Sequence, residues 1–230
     1  ILAFIMFFIT TSASLADSNV YITQSGAALD LDITIDGNAN AVGTANDRTL
    51  LTGANLDVDI DLIGATNTIT GDFIGAGNSG SDDLKINQTG STNTTALNVG
   101  ASAATDDVRI IENRVGSSGE TTYTIGSAAT VQDVTVTVDV VGDDIDIALI
   151  ENSSSSGSDK TTDIDIGTDS DDVDIVVTHT GAGAHKTKLL CTGACGTSDF
   201  TFSQTGANST DVDLVVTNAA GSDVDIIITD

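Results

Sequence analysis

The sequence predicts an all-β protein whose strands stack as the coils of a β-solenoid. Three observations carry that expectation. Apolar residues alternate with Asp, Thr or Asn through nearly all of the chain after residue 16, which is the period-two pattern of half-buried strands. Clusters rich in Gly and Asn separate the strands, and no stretch keeps a helical period over a useful length. One phrase also recurs: Phe200-Thr201-Phe202-Ser203-Gln204-Thr205-Gly206 returns as Val20-Tyr21-Ile22-Thr23-Gln24-Ser25-Gly26 and as Leu84-Lys85-Ile86-Asn87-Gln88-Thr89-Gly90.

The chain opens on ILAFIMFFI, an unbroken apolar run over residues 1–9. Small and polar residues follow, and Ser14 and Ala16 fit the small-residue rule for signal-peptide cleavage after Ala16. The run is too short to span a bilayer. With no initiator Met and no basic segment before it, residues 1–16 read as a signal peptide truncated at its N-terminus, and residues 17–230 as the mature repeat domain. An exported protein is expected.

From residue 17 on, strand follows strand. Leu29-Asp30-Leu31-Asp32-Ile33-Thr34-Ile35, Leu56-Asp57-Val58-Asp59-Ile60-Asp61-Leu62 and Val134-Thr135-Val136-Thr137-Val138 each place apolar residues on one face and short polar residues on the other. Gly37-Asn38-Ala39-Asn40, Gly64-Ala65-Thr66-Asn67 and residues 75–80 read as turns. Strand starts recur in the mid-twenties, with half-steps from Phe200 to Val212 and from Val212 to Val224, which is a repeat signature. Second strands begin at threonine pairs (Thr94-Thr95, Thr121-Thr122, Thr161-Thr162), and residues 153–160 read as a loop insertion. At roughly 25 residues per coil, residues 17–230 make about eight coils. A β-sandwich of many short strands is the competing architecture, but sandwiches favour Trp, Tyr and Pro. This chain has no Pro, no Trp and 3% aromatics.

Composition narrows the function classes. The net charge is -27, and of 34 acidic residues only Glu112, Glu120 and Glu151 are Glu, so 34 − 3 leaves 31 Asp. Such acidity repels nucleic acid and anionic membranes and favours solubility, cation binding or a salty environment. Cys191 and Cys195 are the only cysteines. In an exported chain they read as a disulfide clip over a tight loop. A zinc pair would need further ligands, for which His179 and His185 are the candidates, and redox pairs are usually Cys-x-x-Cys rather than this spacing.

In the recurring phrase the glutamines Gln24, Gln88 and Gln204 share the inward parity of the apolar residues before them. A lone buried amide is costly. In a stacked repeat it can meet another amide or a backbone group of the next coil, forming a ladder along the axis. Gly26, Gly90 and Gly206 then release the chain into the arc, and Asn93 and Asn208 fall where turn residues tolerant of left-handed backbone are expected. Glu112, Glu151 and His179 occupy the amide position, or lie near it, in degenerate copies over residues 108–112, 145–151 and 173–181. A glutamine facing solvent at a hairpin edge is the alternative.

Gln88-Thr89-Gly90-Ser91-Thr92-Asn93 resembles the curlin repeat of bacterial curli amyloid subunits, with Gln204-Thr205-Gly206-Ala207-Asn208 close to it and Gln24-Ser25-Gly26 keeping the first half. The resemblance implies a secreted β-solenoid subunit that stacks end to end into an extracellular functional amyloid fibre. It also implies a Gram-negative-type cell surface, outer-membrane export machinery and a nucleator as partners. The coils here are longer and less regular than in that family, a second inward Gln per unit is mostly missing, and the Asp load is far heavier.

The expected function is therefore that of a self-associating fibre or matrix subunit. The alternative is a calcium-dependent adhesin or binding module, because Asp pairs (Asp82-Asp83, Asp106-Asp107, Asp143-Asp144, Asp171-Asp172) precede strands and stacking could align them into carboxylate rows suited to Ca²⁺. The Gly-Gly-x-Gly-x-Asp repeat of calcium-binding β-rolls is absent. Enzymatic activity is not expected. There are two His, no nucleophile elbow, no His-Glu-x-x-His and no phosphate loop. Threonine pairs at strand spacing leave an ice-binding surface as a minor alternative.

Overall fold

A strand that alternates Leu or Ile with Asp can bury only one face, and stacking on a like strand lets all the buried faces share one interior. The computed structural model takes that solution. It describes residues 18–43, 49–75, 82–100, 105–126, 131–152, 159–167, 170, 172–192, 195–206, 209–217 and 221–229. The expected signal peptide and Asn208 lie outside the described residues.

The strands, in chain order, are β1 (Ser18–Val20), β2 (Thr23–Ser25), β3 (Asp30–Asp36), β4 (Ala39–Val42), β5 (Thr49–Gly53), β6 (Asp57–Ile63), β7 (Thr66–Gly75), β8 (Asp82–Thr89), β9 (Thr92–Val99), β10 (Thr105–Val115), β11 (Ser118–Ile125), β12 (Val131–Val141), β13 (Ile145–Asn152), β14 (Lys160–Ile166), β15 (Val173–Thr180), β16 (Ala184–Cys191), β17 (Asp199–Thr205), β18 (Ser209–Val216) and β19 (Asp223–Thr229). Among the described residues there is no helix.

From β5 onward successive strands alternate between two sheets, whereas β1 with β2 and β4 with β5 are consecutive in the first. One has 11 strands, running β1-β4-β7-β9-β11-β13-β15-β17-β19 with β2 and β5 alongside; the other has 8, from β3 through β6, β8, β10, β12, β14 and β16 to β18. Every pairing is parallel. The fold is a β-solenoid of about 7 turns, not an antiparallel sandwich. Strands about 4.8 Å apart make it a rod roughly 35 Å long. The half-steps in the sequence are the crossings from one sheet to the other: Phe200 and Val224 pair in the first sheet, and Val212 lies between them in the second.

Register turns each inward position into an axial column. Leu31, Val58, Leu84, Ile110 and Val136 form one column, and Ile33, Ile60 and Ile86 begin the next. In the first sheet Phe200 and Phe202 continue the columns of Ile175 and Val177. All of these side chains are buried, and each contributes about 1.5–3 kcal/mol by leaving water.

Two local expectations change. The first phrase is two short strands, β1 and β2, with Tyr21 exposed between them, rather than one continuous strand. The expected insertion ends earlier than residue 160, because Lys160 opens β14 and is buried; residues 153–158 lie outside the described residues.

Candidate functional site

The interior carries three polar constructions, and one end of the coil carries an open rung. The first construction is an amide ladder made by asparagine. Asn40, Asn67 and Asn93 occupy one column of the first sheet. Asn40 Nδ2 donates to Asn67 Oδ1 (3.0 Å), and Asn67 Nδ2 donates to Asn93 Oδ1 (2.8 Å). Each Nδ2 also reaches a carbonyl at the arc of the next coil: Ile63 at 2.9 Å, Thr89 at 3.0 Å and Val115 at 3.2 Å. All three side chains are buried, and sharing hydrogen bonds along the column is what makes that burial tolerable. Asn93, expected in a turn, is thus an inward strand residue. The arcs beside the ladder stack just as tightly. A Cβ on Gly64, Gly90, Gly116 or Gly142 would fall on the carbonyl oxygen of Gly37, Gly64, Gly90 or Gly116 respectively, so a side chain is excluded by close approach.

The glutamines do not ladder with one another. Gln88 lies in the second sheet, between Leu62 and Arg114, whereas Gln204 lies in the first, between His179 and Ile228, and half-buried Gln24 pairs with Leu51. Gln88 and Gln204 do point inward, each 1% exposed. Gly26 and Gly206 end their strands at φ 150 and 77.

Gln88 joins the second construction, a buried cluster around Glu112. Thr95 and Thr121 each donate to Glu112 Oε1 at 3.0 Å, and the Tyr123 hydroxyl donates to Oε2 at 2.9 Å. Arg114 Nη1 donates to Thr121 Oγ1 at 2.7 Å, and the guanidinium lies where a Cβ on Gly119 would be, one rung past the end of the asparagine ladder. Burial lowers the Arg114 pKa and the Glu112 charge opposes that shift; burial and the same carboxylate push the Tyr123 phenol well above its ordinary value.

The third construction sits between β13 and β17. Glu151, His179 and Gln204 form one column, so the amide position does align across two degenerate copies and the full phrase that follows them. Lys160 and His185 form a column in the opposite sheet. Thr162 Oγ1 donates to Glu151 Oε1 and lies 3.0 Å from His179 Nε2, which is 3.5 Å from Glu151 Oε2. Gln204 Nε2 donates to Thr187 Oγ1 at 3.0 Å. Cys191 and Cys195 are joined by a disulfide with both sulfurs buried, so neither thiolate is available to zinc.

The Asp pairs do not make single rows. Asp82 is buried and accepts the Leu56 amide at 2.9 Å, whereas Asp83 faces outward. Asp144 and Asp172 take left-handed positions in the bends before β13 and β15 at φ 50 and 56, and Asp107 and Asp133 take them within β10 and β12 at φ 51 and 46, a conformation that Asp tolerates. Asp171 lies outside the described residues. Outward rows come from strand positions instead. Glu120, Asp146, Asp174, Asp199 and Asp223 follow one another up the first sheet. Asp30, Asp57 and Asp83 do so up the second, ending at Arg109. Burial and then neighbouring carboxylates raise the pKa of Asp57 and of Asp146. Among the described residues, no group of three or more His, Cys, Asp or Glu side chains is arranged to hold a metal ion.

At the C-terminal end, β19 extends the columns of Phe200, Phe202 and Gln204 with Val224, Ile226 and Ile228. These are 40%, 48% and 52% exposed, and β19 is the last strand of its sheet among the described residues. At the other end, Leu31, Ile33 and Ile35 on edge strand β3 are buried.

The class these features define is a parallel β-solenoid with laddered polar residues in its interior. In comparisons with protein-family models, curated proteins and solved structures, nothing matches this chain.

Proposed function

We propose that this protein is an exported structural subunit that associates end to end into a curli-like extracellular fibre. The observation that carries the reading is the β19 rung. Among the described residues its inward side chains continue the core columns with no strand paired above them, and this exposed apolar rung of Val224, Ile226 and Ile228 favours the addition of another strand. A second copy suits that edge because its own coil repeats the same strand spacing and column chemistry. The repeated Gln-x-Gly phrase, the apolar leader-like segment and the Cys191–Cys195 disulfide support export and the curlin resemblance. The outward acidic rows keep such rods apart sideways while leaving the axial direction open.

The test is electron microscopy and fibre diffraction of protein beginning at Asp17. Unbranched fibres with a meridional reflection near 4.8 Å are expected, and Ile226→Lys should abolish them while leaving the monomer folded by circular dichroism. Wild-type protein that stays monomeric in sedimentation after days at high concentration would overturn the reading.

A further inference from the structure

The interior around β13–β16 holds more charge than a core that only packs requires. Glu151, Lys160, His179 and His185 are each at most 1% exposed. Lys160 Nζ lies 3.5 Å from His185 Nε2, and the His179 and His185 rings meet edge to face with centroids 5.4 Å apart. Three basic groups therefore surround one buried carboxylate, that of Glu151. The neighbouring inward positions bring no second acid: Val134, Ile125, Gln204 and Thr210 carry no charge, and Asp159 is exposed at the arc, holding the Ala184 amide at 2.8 Å. Glu151 can balance one positive charge. With Lys160 donating to His185 Nε2, His185 must remain neutral, and Nδ1 of both histidines is left without a partner.

We propose that the Lys160–His185 rung is an acid-release point: a proton taken up by His185 places a second cation beside Lys160 in an interior with one carboxylate, and parts β14 from β16 while the hydrocarbon- and amide-lined coils of β3–β7 stay closed. The energetics agree in sign. Burial, then Lys160 and His179, hold the His185 pKa at about 4, against 6.5 for a free imidazole. The folded state thus prefers neutral His185. Its contribution to stability is complete above pH 6.5 and is lost as the pH falls towards 4.

Hydrogen exchange of the full chain, followed by mass spectrometry at pH 7 and pH 4.5 and corrected for intrinsic rates, tests this. Peptides covering β14 and β16 should lose protection by a factor on the order of tens relative to those covering β3 and β6. His185→Gln, which takes up no proton, should remove that difference. If His185→Gln fails to fold, Lys160→Met serves: removing the adjacent cation should shrink the loss several-fold. A pH response uniform across the coils, or one unchanged in the variant that folds, overturns the proposal.

Discussion

Asn67 Nδ2 stands 2.8 Å from Asn93 Oδ1, so two residues one coil apart satisfy each other where water cannot reach. Asn67 is the middle of the ladder. It accepts from Asn40 and donates to Asn93 and to the Thr89 carbonyl. Asn67→Leu leaves all three partners short, and a loss of about 2–4 kcal/mol is expected in urea unfolding. Asn67→Asp should cost more, because the carboxylate loses both donor bonds and adds an unpaired buried charge. A loss below about 0.5 kcal/mol for either variant would show that the ladder contributes little.

Gly90→Ala tests the arc stack. In an open loop the change is favourable or neutral, because alanine restricts the unfolded chain. Here the methyl group would meet the Gly64 carbonyl oxygen. A drop in Tm of at least several degrees is expected. Gly206→Ala should be milder, near the 1 kcal/mol cost of a left-handed alanine, since its Cβ would sit 3.5 Å from the nearest atom, the Gly181 carbonyl oxygen.

Arg114→Met removes the buried cation that is linked to Glu112 through the Thr121 hydroxyl, which should cost about 3–5 kcal/mol. Replacing Glu112 by Leu in the same chain should recover most of that loss, since apolar residues of similar volume substitute well for buried charges of opposite sign. Equilibrium unfolding of the single and double variants measures the coupling. Independent, additive losses would mean that Glu112 and Arg114 do not act as a unit.

The outward rows set a pH and salt dependence of opposite sign to that of His185. Asp57, Asp139 and Asp146 have pKa values raised by burial and by neighbouring carboxylates. The folded state therefore binds their protons more readily than the unfolded chain. The penalty from their charge is present at neutral pH and is relieved as the pH falls through the raised values. At pH 7, raising the ionic strength should increase Tm, and millimolar Mg²⁺ or Ca²⁺ should act more strongly than Na⁺. A Tm that is flat in salt would rule out the rows as a source of repulsion.

Much of the fold was legible because parity is local. Leu31, Ile33 and Ile35 alternate with Asp32 and Thr34, and this alone assigns their faces. Register is not local. A strand shifted by two residues keeps its parity, so Gln88 and Gln204 read as equivalent although they lie in different sheets, and Glu112 read as the counterpart of Gln88 although Arg114 takes that place. Lys160 read as loop because the groups that allow its burial, Glu151 and His185, are distant in sequence or unremarkable one at a time. The asparagine ladder did leave a signal: Gly-x-x-Asn occurs at Gly37–Asn40, Gly64–Asn67 and Gly90–Asn93, with the asparagines 27 and then 26 residues apart. Each copy taken singly looks like an ordinary turn.

The arcs of this coil differ in length while its columns stay aligned: one rung advances 27 residues between partners, another 26 and another 25. Insertions and deletions are therefore absorbed at the corners, whereas a single residue gained within a strand would turn every later side chain of that strand inside out. Such a chain lengthens by whole-unit duplication, with each extra copy adding about 4.8 Å to a molecular ruler and leaving the rungs already laid down undisturbed.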